Sequence, residues 1–494
     1  MKLENVILPG RDPKSRWDVD FAANAITSIR PSISSSSSSD PASLLLPPLC
    51  HPHIHLDKAY LLTCNTSHRP SQSQSEDSPP IHAAYSDLTP QTGSFSEALS
   101  LTSQAKRHYT PEDLYLRGSQ LLGTSVAQGV TSCRAFVELD HVTGNSCLST
   151  ALALKDLFQA KLKLQICAFA QDPIFSTEHG EGNRHILTHA LETCGADVEV
   201  LGTTPYVEKS PEASLRNIEW AIETALANDL HLDFHLDYSL DETRKPMVWD
   251  VLRLLKDLRW NERTKKGRTI VLGHCTRLTL CSDAEMARLA KEITDSELPV
   301  HFVGLPTSDL FMMGRPSHIG SSEEDKSAHR PRGTLQVLDM IKKFGLSTCL
   351  SVNNVGNAFT PWGMGDPLQL ASLGVGIYQA GTDEDAKTLF ECVSSRARKA
   401  IGLSPASAVN LESKTGDEDA GEGETDEPNL EVGRRGELLL VRNEEWVGCP
   451  GHLGIRIPAR QRVGFRDLVW DPPDIRLRRI LRCEHGHMRW DGVV

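Results

Sequence analysis

Histidines whose spacing could bind a metal ion occur at three places in the sequence. His53 and His55 lie two residues apart in HPHIHLDK, so on an extended backbone their side chains point to the same side. His235 and His274 end two further apolar runs, LHLDFHL and TIVLGHC. Imidazole suits zinc and iron, and a divalent ion lowers the pKa of its bound water from ~15.7 towards ~7. The four histidines therefore predict a hydrolytic metal site, provided that the fold brings them together.

Eight short apolar runs could supply the strands that position these histidines. They are predicted at 44–50, 130–139, 163–170, 198–206, 230–236, 269–275, 298–304 and 346–352, and helical patterns between them include 111–127, 148–160, 211–228, 283–293 and 334–344. Apolar strands alternating with helices indicate a parallel sheet, and eight such units predict an α/β fold of the (β/α)₈ TIM-barrel type. The carboxyl ends of barrel strands share one rim, where the histidines would meet. An open doubly wound sheet is the competing interpretation, although no glycine-rich phosphate-binding motif follows an early strand.

The two ends of the chain do not follow the barrel repeat. Residues 1–43 and 431–494 contain short strand patterns that predict a small β-sandwich built from both termini, and the barrel is predicted to span 44–403. Residues 66–80 are rich in Ser, Gln and Pro, and residues 404–430 form an acidic stretch of low complexity. Because neither segment can bury enough apolar surface to offset its ordering entropy, both are interpreted as flexible surface loops.

The composition limits the class of protein. The 494 residues include 52 basic and 65 acidic side chains, a net charge of −13, which argues against nucleic acid or an anionic membrane as partner. Hydrophobic residues make up 39%, enough for a large core, yet no run approaches the ~18 apolar residues of a membrane span. The twelve cysteines are scattered without a CxxC pair, and charge interrupts the N-terminus too early for a secretory signal. We expect a cytoplasmic protein, with a homo-oligomer compatible with this composition.

Four segments together resemble the amidohydrolase superfamily, specifically its cytosine-deaminase-like branch. They are HPHIHLDK, FHLDY, GHCTRL and SVNNVGNAFTPWG, and the resemblance extends to CAFAQDPIF and VSSRARKAIGL. It implies a (β/α)₈ barrel with a small β-sandwich and metal-assisted hydrolysis of C–N bonds in small, often cyclic molecules.

The resemblance also implies roles for individual residues. Three histidines match metal ligands: His53, His55 and His235. His274 matches a residue that contacts the bound water or the substrate, and Gln171 matches a substrate-binding glutamine. The metal-binding aspartate of the family falls on Asn353.

Two positions depart from the deaminase pattern. Tyr238 stands where the deaminases have a proton-shuttling glutamate, and Asn353 cannot accept a proton from water as an aspartate would. Asp237 and Glu242 lie nearby but are interpreted as structural or surface carboxylates. We therefore expect His274 to move the proton, because imidazole ordinarily titrates near neutrality, and Tyr238 to offer at most a hydrogen bond.

The histidines together with the resemblance imply an enzyme that hydrolyses a non-peptide C–N bond of a small nitrogen-containing molecule, with one divalent ion, zinc or iron, as cofactor. The missing carboxylates favour a cyclic amide or imide slightly over an amino-heterocycle. Trp362 could stack on a planar ring, although packing would explain it equally well, and Arg134 fits a buried ion pair as well as a substrate contact. The alternative is a non-hydrolytic barrel that acts as a ligand-binding or regulatory protein, since both expected carboxylates are lost.

Overall fold

A computed structural model describes residues 1–22, 24–33, 41–63, 85, 88–314, 333–403, 430–447, 457–484 and 487–490. The predicted insertion at 66–80 lies outside these residues, and so does all of the predicted acidic loop at 404–430 except Leu430.

The described residues contain fifteen strands in three sheets. In chain order the strands are β1 Lys2–Val6, β2 Trp17–Ala22, β3 Ala25–Pro31, β4 Leu44–Leu46, β5 Leu49–His55, β6 Val130–Glu138, β7 Lys163–Ala170, β8 Val200–Thr203, β9 His231–Leu236, β10 Ile270–His274, β11 Val300–Gly304, β12 Thr348–Leu350, β13 Leu438–Val441, β14 Arg478–Glu484 and β15 His487–Trp490.

Strands β5 to β12 form the barrel. Each pairs in parallel with the next along the chain, and almost every strand residue is buried, as expected when helices cover the outer face. The sheet closes just after β12, where Ile54 and Asn353 form a parallel bridge and the amide of His55 donates to the Asn353 carbonyl at 2.9 Å. The predicted α/β barrel of the TIM type is confirmed.

Fourteen α-helices occur among the described residues. They are α1 Phe95–Lys106, α2 Pro111–Ala127, α3 Ser146–Phe158, α4 Gly180–Cys194, α5 Pro211–Asn228, α6 Val248–Asp257, α7 Trp260–Arg263, α8 Asp283–Ser296, α9 Pro306–Met312, α10 Val337–Lys342, α11 Pro367–Ile377, α12 Asp383–Cys392, α13 Ser395–Ala400 and α14 Phe465–Trp470.

Local signals in the sequence set several helix starts. Thr110 caps α2 by accepting a hydrogen bond from the Asp113 amide, with Pro111 in the first turn, and Ser282 and Glu285 form a capping box on α8. Helices α2 and α5 coincide with the predicted 111–127 and 211–228. In the part of the chain that the structure describes, no helix has the length and apolar character needed to cross a bilayer.

The first barrel strand differs from the prediction. Leu44–Leu46 leaves the barrel and pairs with β13 instead, and the barrel strand starts at Leu49, after Pro47 and Pro48. Because proline has no amide proton to donate, this pair interrupts the ladder that the apolar run suggests. His53 and His55 consequently lie within the strand rather than beyond its end.

An irregularity in β5 decides where its histidines point. The pairing with β6 shifts register between His51 and Ile54. Cys50 packs against Val271 and Cys349 on the inner face of the barrel, so strict alternation would turn His53 outward. The register shift instead brings His53 to the interior, which is what a β-bulge does beside many active sites.

Both ends of the chain build small antiparallel sheets, as predicted. Strands β1, β2 and β3 form one, and β15, β14, β13 and β4 form the other. Their facing side chains share one apolar core drawn from both termini, with members Val6, Val19, Phe21, Ile26, Leu45, Leu438 and Leu481. The amide of Ile26 also donates to the carbonyl of Arg434 at 2.9 Å. The two terminal segments therefore stabilise each other beside the barrel.

Candidate metal centre

The Nε2 atoms of three histidines converge inside the barrel. His53 and His55 come from β5, and His235 comes from the end of β9. The Nε2 atom of His235 lies 3.1 Å from that of His53 and 3.0 Å from that of His55, and all three side chains are buried. Two ring nitrogens at this distance can share one proton at most, so the three Nε2 atoms form a close, largely unprotonated set of donor atoms.

The ionisation of these histidines suits metal binding. Burial lowers the pKa of His53, His55 and His235 well below the ordinary imidazole value, and repulsion from neighbouring charged groups lowers it further. The rings are therefore neutral near pH 7, which is the form that binds a metal. The Nδ1 atom of each ring is also buried without a hydrogen-bond partner among the described residues.

Asn353 places a neutral oxygen beside the histidines. It follows β12 with a φ of 62° and is buried. Its Nδ2 donates to the Ser308 hydroxyl at 2.9 Å, which leaves Oδ1 as a buried acceptor with no donor in the described parts of the chain. Three imidazoles and one amide oxygen form a donor set that fits a divalent ion such as zinc or iron.

His274 lies at the edge of this cluster and is held by a carboxylate. One ring nitrogen of His274 and one each of His53 and His235 lie within 4.8 Å of one another. Its Nδ1 is 2.9 Å from Oδ1 of Asp309, a buried residue of α9. The other Asp309 oxygen accepts from the Thr334 hydroxyl at 2.9 Å. This arrangement assigns the Nδ1 proton to the Asp309 side and leaves Nε2 facing the centre.

Four aromatic rings form a wall over the cluster, hereafter the aromatic wall: Phe95, Tyr206, Tyr238 and Phe359. The Phe95 ring centroid lies 5.8 Å from those of Tyr238 and Phe359 and 6.1 Å from that of Tyr206. The Tyr238 ring also packs on His274, with centroids 4.0 Å apart. These residues come from α1 and from the segments after β8, β9 and β12, so loops at the same rim enclose the histidines.

The expected catalytic residue Tyr238 therefore lies at the site, against His274. Its hydroxyl donates to the backbone carbonyl of Ser308 at 3.3 Å, which directs it towards α9. Asp237 accepts hydrogen bonds from the amides of Met247 and Val248 at 2.7 and 3.1 Å, so it caps α6. Glu242 is exposed. Asp237 therefore has a structural role, and Glu242 faces solvent.

A buried polar network adjoins the site and reaches the aromatic wall, where Lys58 Nζ lies 5.2 Å from the ring centroid of Phe359. Lys58 pairs with Glu138 and donates to Oε1 of Gln171 at 3.2 Å. Lys106 contacts the other Glu138 oxygen and lies 2.8 Å from Asp140. Gln171, the expected substrate-binding residue, is thus fixed through its oxygen by an ammonium group.

His55, Asp57 and Glu138 offer a second group of ligand atoms within 4.8 Å of one another. Both Glu138 oxygens already contact an ammonium group, one from Lys58 and one from Lys106. The charge that a second ion would need at Glu138 is therefore neutralised by the chain itself.

Arg134 forms the buried ion pair that the sequence allows as one interpretation. Its Nη1 lies 2.9 Å from Oδ2 of Asp233, and its Nε donates to Gln165 at 3.2 Å. All of these side chains are buried.

Trp362 does not join the aromatic wall. It is 52% exposed and lines a rim pocket with Thr307, Met364 and Leu373. None of the four histidines lines that pocket. Stacking of Trp362 on a substrate held at the histidines is left as a prediction.

Three residues at the site are not predicted from the sequence: Asp233, Asp309 and Phe95. Asp233 lies two residues before His235, so alternation along a strand predicts that both side chains share one face. Asp309 comes soon after a predicted barrel strand, where functional side chains are expected. Phe95 lies in the long connection between β5 and α2, where alternation and strand ends give no guidance.

Comparisons with known proteins find similarity in structure alone. No protein-family model and no curated protein matches the sequence. A 5-methylcytosine deaminase from Klebsiella pneumoniae, liganded with phosphonocytosine, aligns with a TM-score of 0.71 and 19% identity, covering 99% of this chain and 97% of that one.

Two further solved structures align with the chain. N-isopropylammelide isopropylaminohydrolase from Burkholderia multivorans gives a TM-score of 0.65 at 18% identity, over 99% of this chain and 97% of that one. Guanine deaminase from C. acetobutylicum gives 0.52 at 10% identity, over 89% and 90% of the two chains. At identities of 10 to 19%, these similarities show that the chain shares its fold with the three enzymes.

Proposed function

We propose that this chain is a metal-dependent hydrolase of the amidohydrolase superfamily that cleaves a non-peptide C–N bond in a small nitrogen-containing molecule. The observation that carries the proposal is the convergence of the His53, His55 and His235 Nε2 atoms at 3.0 and 3.1 Å. Buried neutral imidazoles aimed at one point have little structural benefit unless a cation binds there.

One divalent ion, zinc or iron, is the proposed cofactor, held by the three histidines and Asn353 Oδ1. When bound, it supplies Lewis-acid chemistry that activates water and polarises the scissile carbon. A single ion is proposed because Lys58 and Lys106 already neutralise Glu138. Asn353 makes the site one negative charge poorer than an aspartate-bearing site.

His274 is the proposed proton carrier. With its Nδ1–H donated to Asp309, its Nε2 lone pair faces the centre and can accept a proton from the attacking water. The same nitrogen then returns the proton to the leaving nitrogen. Asp309 orients the ring and stabilises the imidazolium. Tyr238 packs against the ring and limits its rotation.

The aromatic wall and Gln171 would select the substrate. Phe95, Tyr206 and Phe359 present apolar surface suited to a planar ring, while Lys58 and Gln171 present a polar edge. A cyclic amide or imide is favoured, because no carboxylate stands at position 238 to carry a proton to a ring nitrogen. Deamination of an amino-heterocycle is the second candidate, supported by the similarity in fold to 5-methylcytosine deaminase.

Metal analysis together with a substrate panel tests this proposal. Purified protein should contain close to one equivalent of zinc or iron after supplementation, and His235→Ala should lose it. His189→Ala, with a side chain 54% exposed on α4, is the matched control and should retain the metal. The panel would contain cyclic amides, imides and amino-heterocycles, with ring opening and ammonia release measured separately. Metal content below a tenth of an equivalent, or full turnover by His235→Ala, would reject the proposal.

A further inference from the structure

We propose that Asp233 is a positioning residue for His53: its carboxylate accepts the Nδ1 proton that His53 must carry when its Nε2 binds a metal ion. Arg134 holds that carboxylate in place. This inference rests on the proposed metal site, and it concerns how tightly the site binds its ion.

Metal binding at one nitrogen of a neutral imidazole determines which nitrogen carries the proton. The ring has one N–H, so a lone pair given to a metal at Nε2 leaves the proton on Nδ1. The His53 side chain is 0% exposed, so water cannot readily accept that proton. Nδ1 lies 3.9 Å from Oδ1 of Asp233, and neither atom has a hydrogen-bond partner among the described residues. A small ring movement would turn this approach into a hydrogen bond that satisfies both.

An ion pair with Arg134 fixes the carboxylate of Asp233. Its other oxygen, Oδ2, accepts from Arg134 Nη1 at 2.9 Å. Arg134 Nε donates to Gln165 Oε1 at 3.2 Å, and Gln165 Nε2 donates to the Ile401 carbonyl at 2.8 Å, at the end of α13. The carboxylate is therefore anchored to the backbone at the opposite end of the barrel, with one oxygen left for His53.

Packing against neighbouring residues also fixes the position of the His53 ring. Phe136 packs on it with ring centroids 4.1 Å apart. On β10, a Cβ added to Gly273 would come within 3.0 Å of Cε1 and 3.2 Å of Nδ1 of His53. The absence of a side chain at Gly273 thus leaves the room that the Nδ1 edge of the ring occupies. Hydrogen-bond partners of metal-binding histidines typically change metal affinity by 10- to 100-fold, so the effect should be measurable without any substrate.

The test measures zinc affinity of the full-length protein by chelator competition at fixed pH, together with the visible spectrum of the cobalt-substituted protein. Asp233→Asn should weaken zinc binding about 10- to 100-fold and alter the cobalt spectrum. Asp113→Asn is the matched control, because Asp113 is also a fully buried aspartate paired with an arginine, Arg117, but on α2. It should reduce stability without changing the cobalt spectrum or the zinc affinity.

A second variant keeps the inference testable if Asp233→Asn fails to fold. Replacing both partners, Asp233→Leu with Arg134→Met, removes the buried pair without leaving a lone charge, and such exchanges are often tolerated. It should show the same loss of zinc affinity. Wild-type affinity in either folded variant would overturn the role of Asp233, whereas absence of metal binding by the wild type would instead overturn the proposed function.

Discussion

The Nδ1 atom of His274 lies 2.9 Å from Oδ1 of Asp309, and both side chains are buried at the carboxyl end of the barrel. The carboxylate comes from α9, one connection further along the chain than the histidine. This pair gives the site an oriented imidazole although Tyr238 and Asn353 replace the carboxylates expected from the resemblance.

Asp309→Asn should impair turnover without removing the metal. The amide would keep the shape but lose the charge that stabilises the imidazolium, so we expect kcat to fall by about 10²- to 10⁴-fold. Zinc content should stay at the wild-type level. Thr334→Val, which removes only a donor to the other Asp309 oxygen, should cause a smaller loss. Unchanged kcat in Asp309→Asn would exclude Asp309 as the residue that orients and stabilises His274.

Asn353→Asp should increase metal affinity. A carboxylate attracts a divalent ion more strongly than an amide oxygen does, and Oδ1 of Asn353 has no donor among the described residues to lose. Chelator competition at fixed pH would measure the change. Asn354→Asp adds the same charge one residue away and should have a smaller effect. Equal affinities in wild type and a folded Asn353→Asp variant would place Asn353 outside the ligand set.

Phe95→Ala should weaken substrate binding more than it slows chemistry. Phe95 contacts three other rings of the aromatic wall and makes no contact with the histidines that the structure records. We expect KM to rise about fivefold, the equivalent of losing about 1 kcal/mol of aromatic contact, while kcat changes little. Tyr115→Ala, at an exposed aromatic on α2, should behave as wild type. A fall in kcat with unchanged KM would contradict a binding role.

Asp140 should make stability depend on pH in the acid range. Burial alone would raise its pKa, but Lys106 and backbone donors outweigh burial and lower the pKa from 3.8 to about 2. Because the folded pKa is the lower one, the stabilisation is present above pH ~4 and is lost as the pH falls towards 2, a contribution of about 2 kcal/mol. Urea unfolding of Asp140→Asn should therefore differ from wild type at pH 6, differ by about half as much near pH 3, and converge with it only as the pH approaches 2. The exposed Asp295→Asn should show no such difference.

Much of the site could be predicted from the histidines at the ends of apolar runs in the sequence. His235 and His274 end apolar runs that do become neighbouring parallel strands, and parallel strands must end on one rim. The position of β5 could not be predicted, because Leu44–Leu46 is as apolar as a barrel strand and only its pairing with β13 places it elsewhere. The register shift at His51–Ile54 is likewise a property of the pairing with β6. Phe95 reaches the site through tertiary packing of a long connection, which leaves no local pattern.

The first and last strands of the barrel meet at residues that surround the candidate metal centre. Ile54 and Asn353 form the closing bridge, the His55 amide donates to the Asn353 carbonyl, and the Ser351 hydroxyl donates to the His53 carbonyl at 2.5 Å. Local opening of these hydrogen bonds would separate Asn353 from the histidines. An ion bound to both sides would therefore oppose that opening. Hydrogen exchange at the backbone amides of His55 and Asn353 should then slow in proportion to metal occupancy. Their exchange rates would measure the fraction of protein with metal bound.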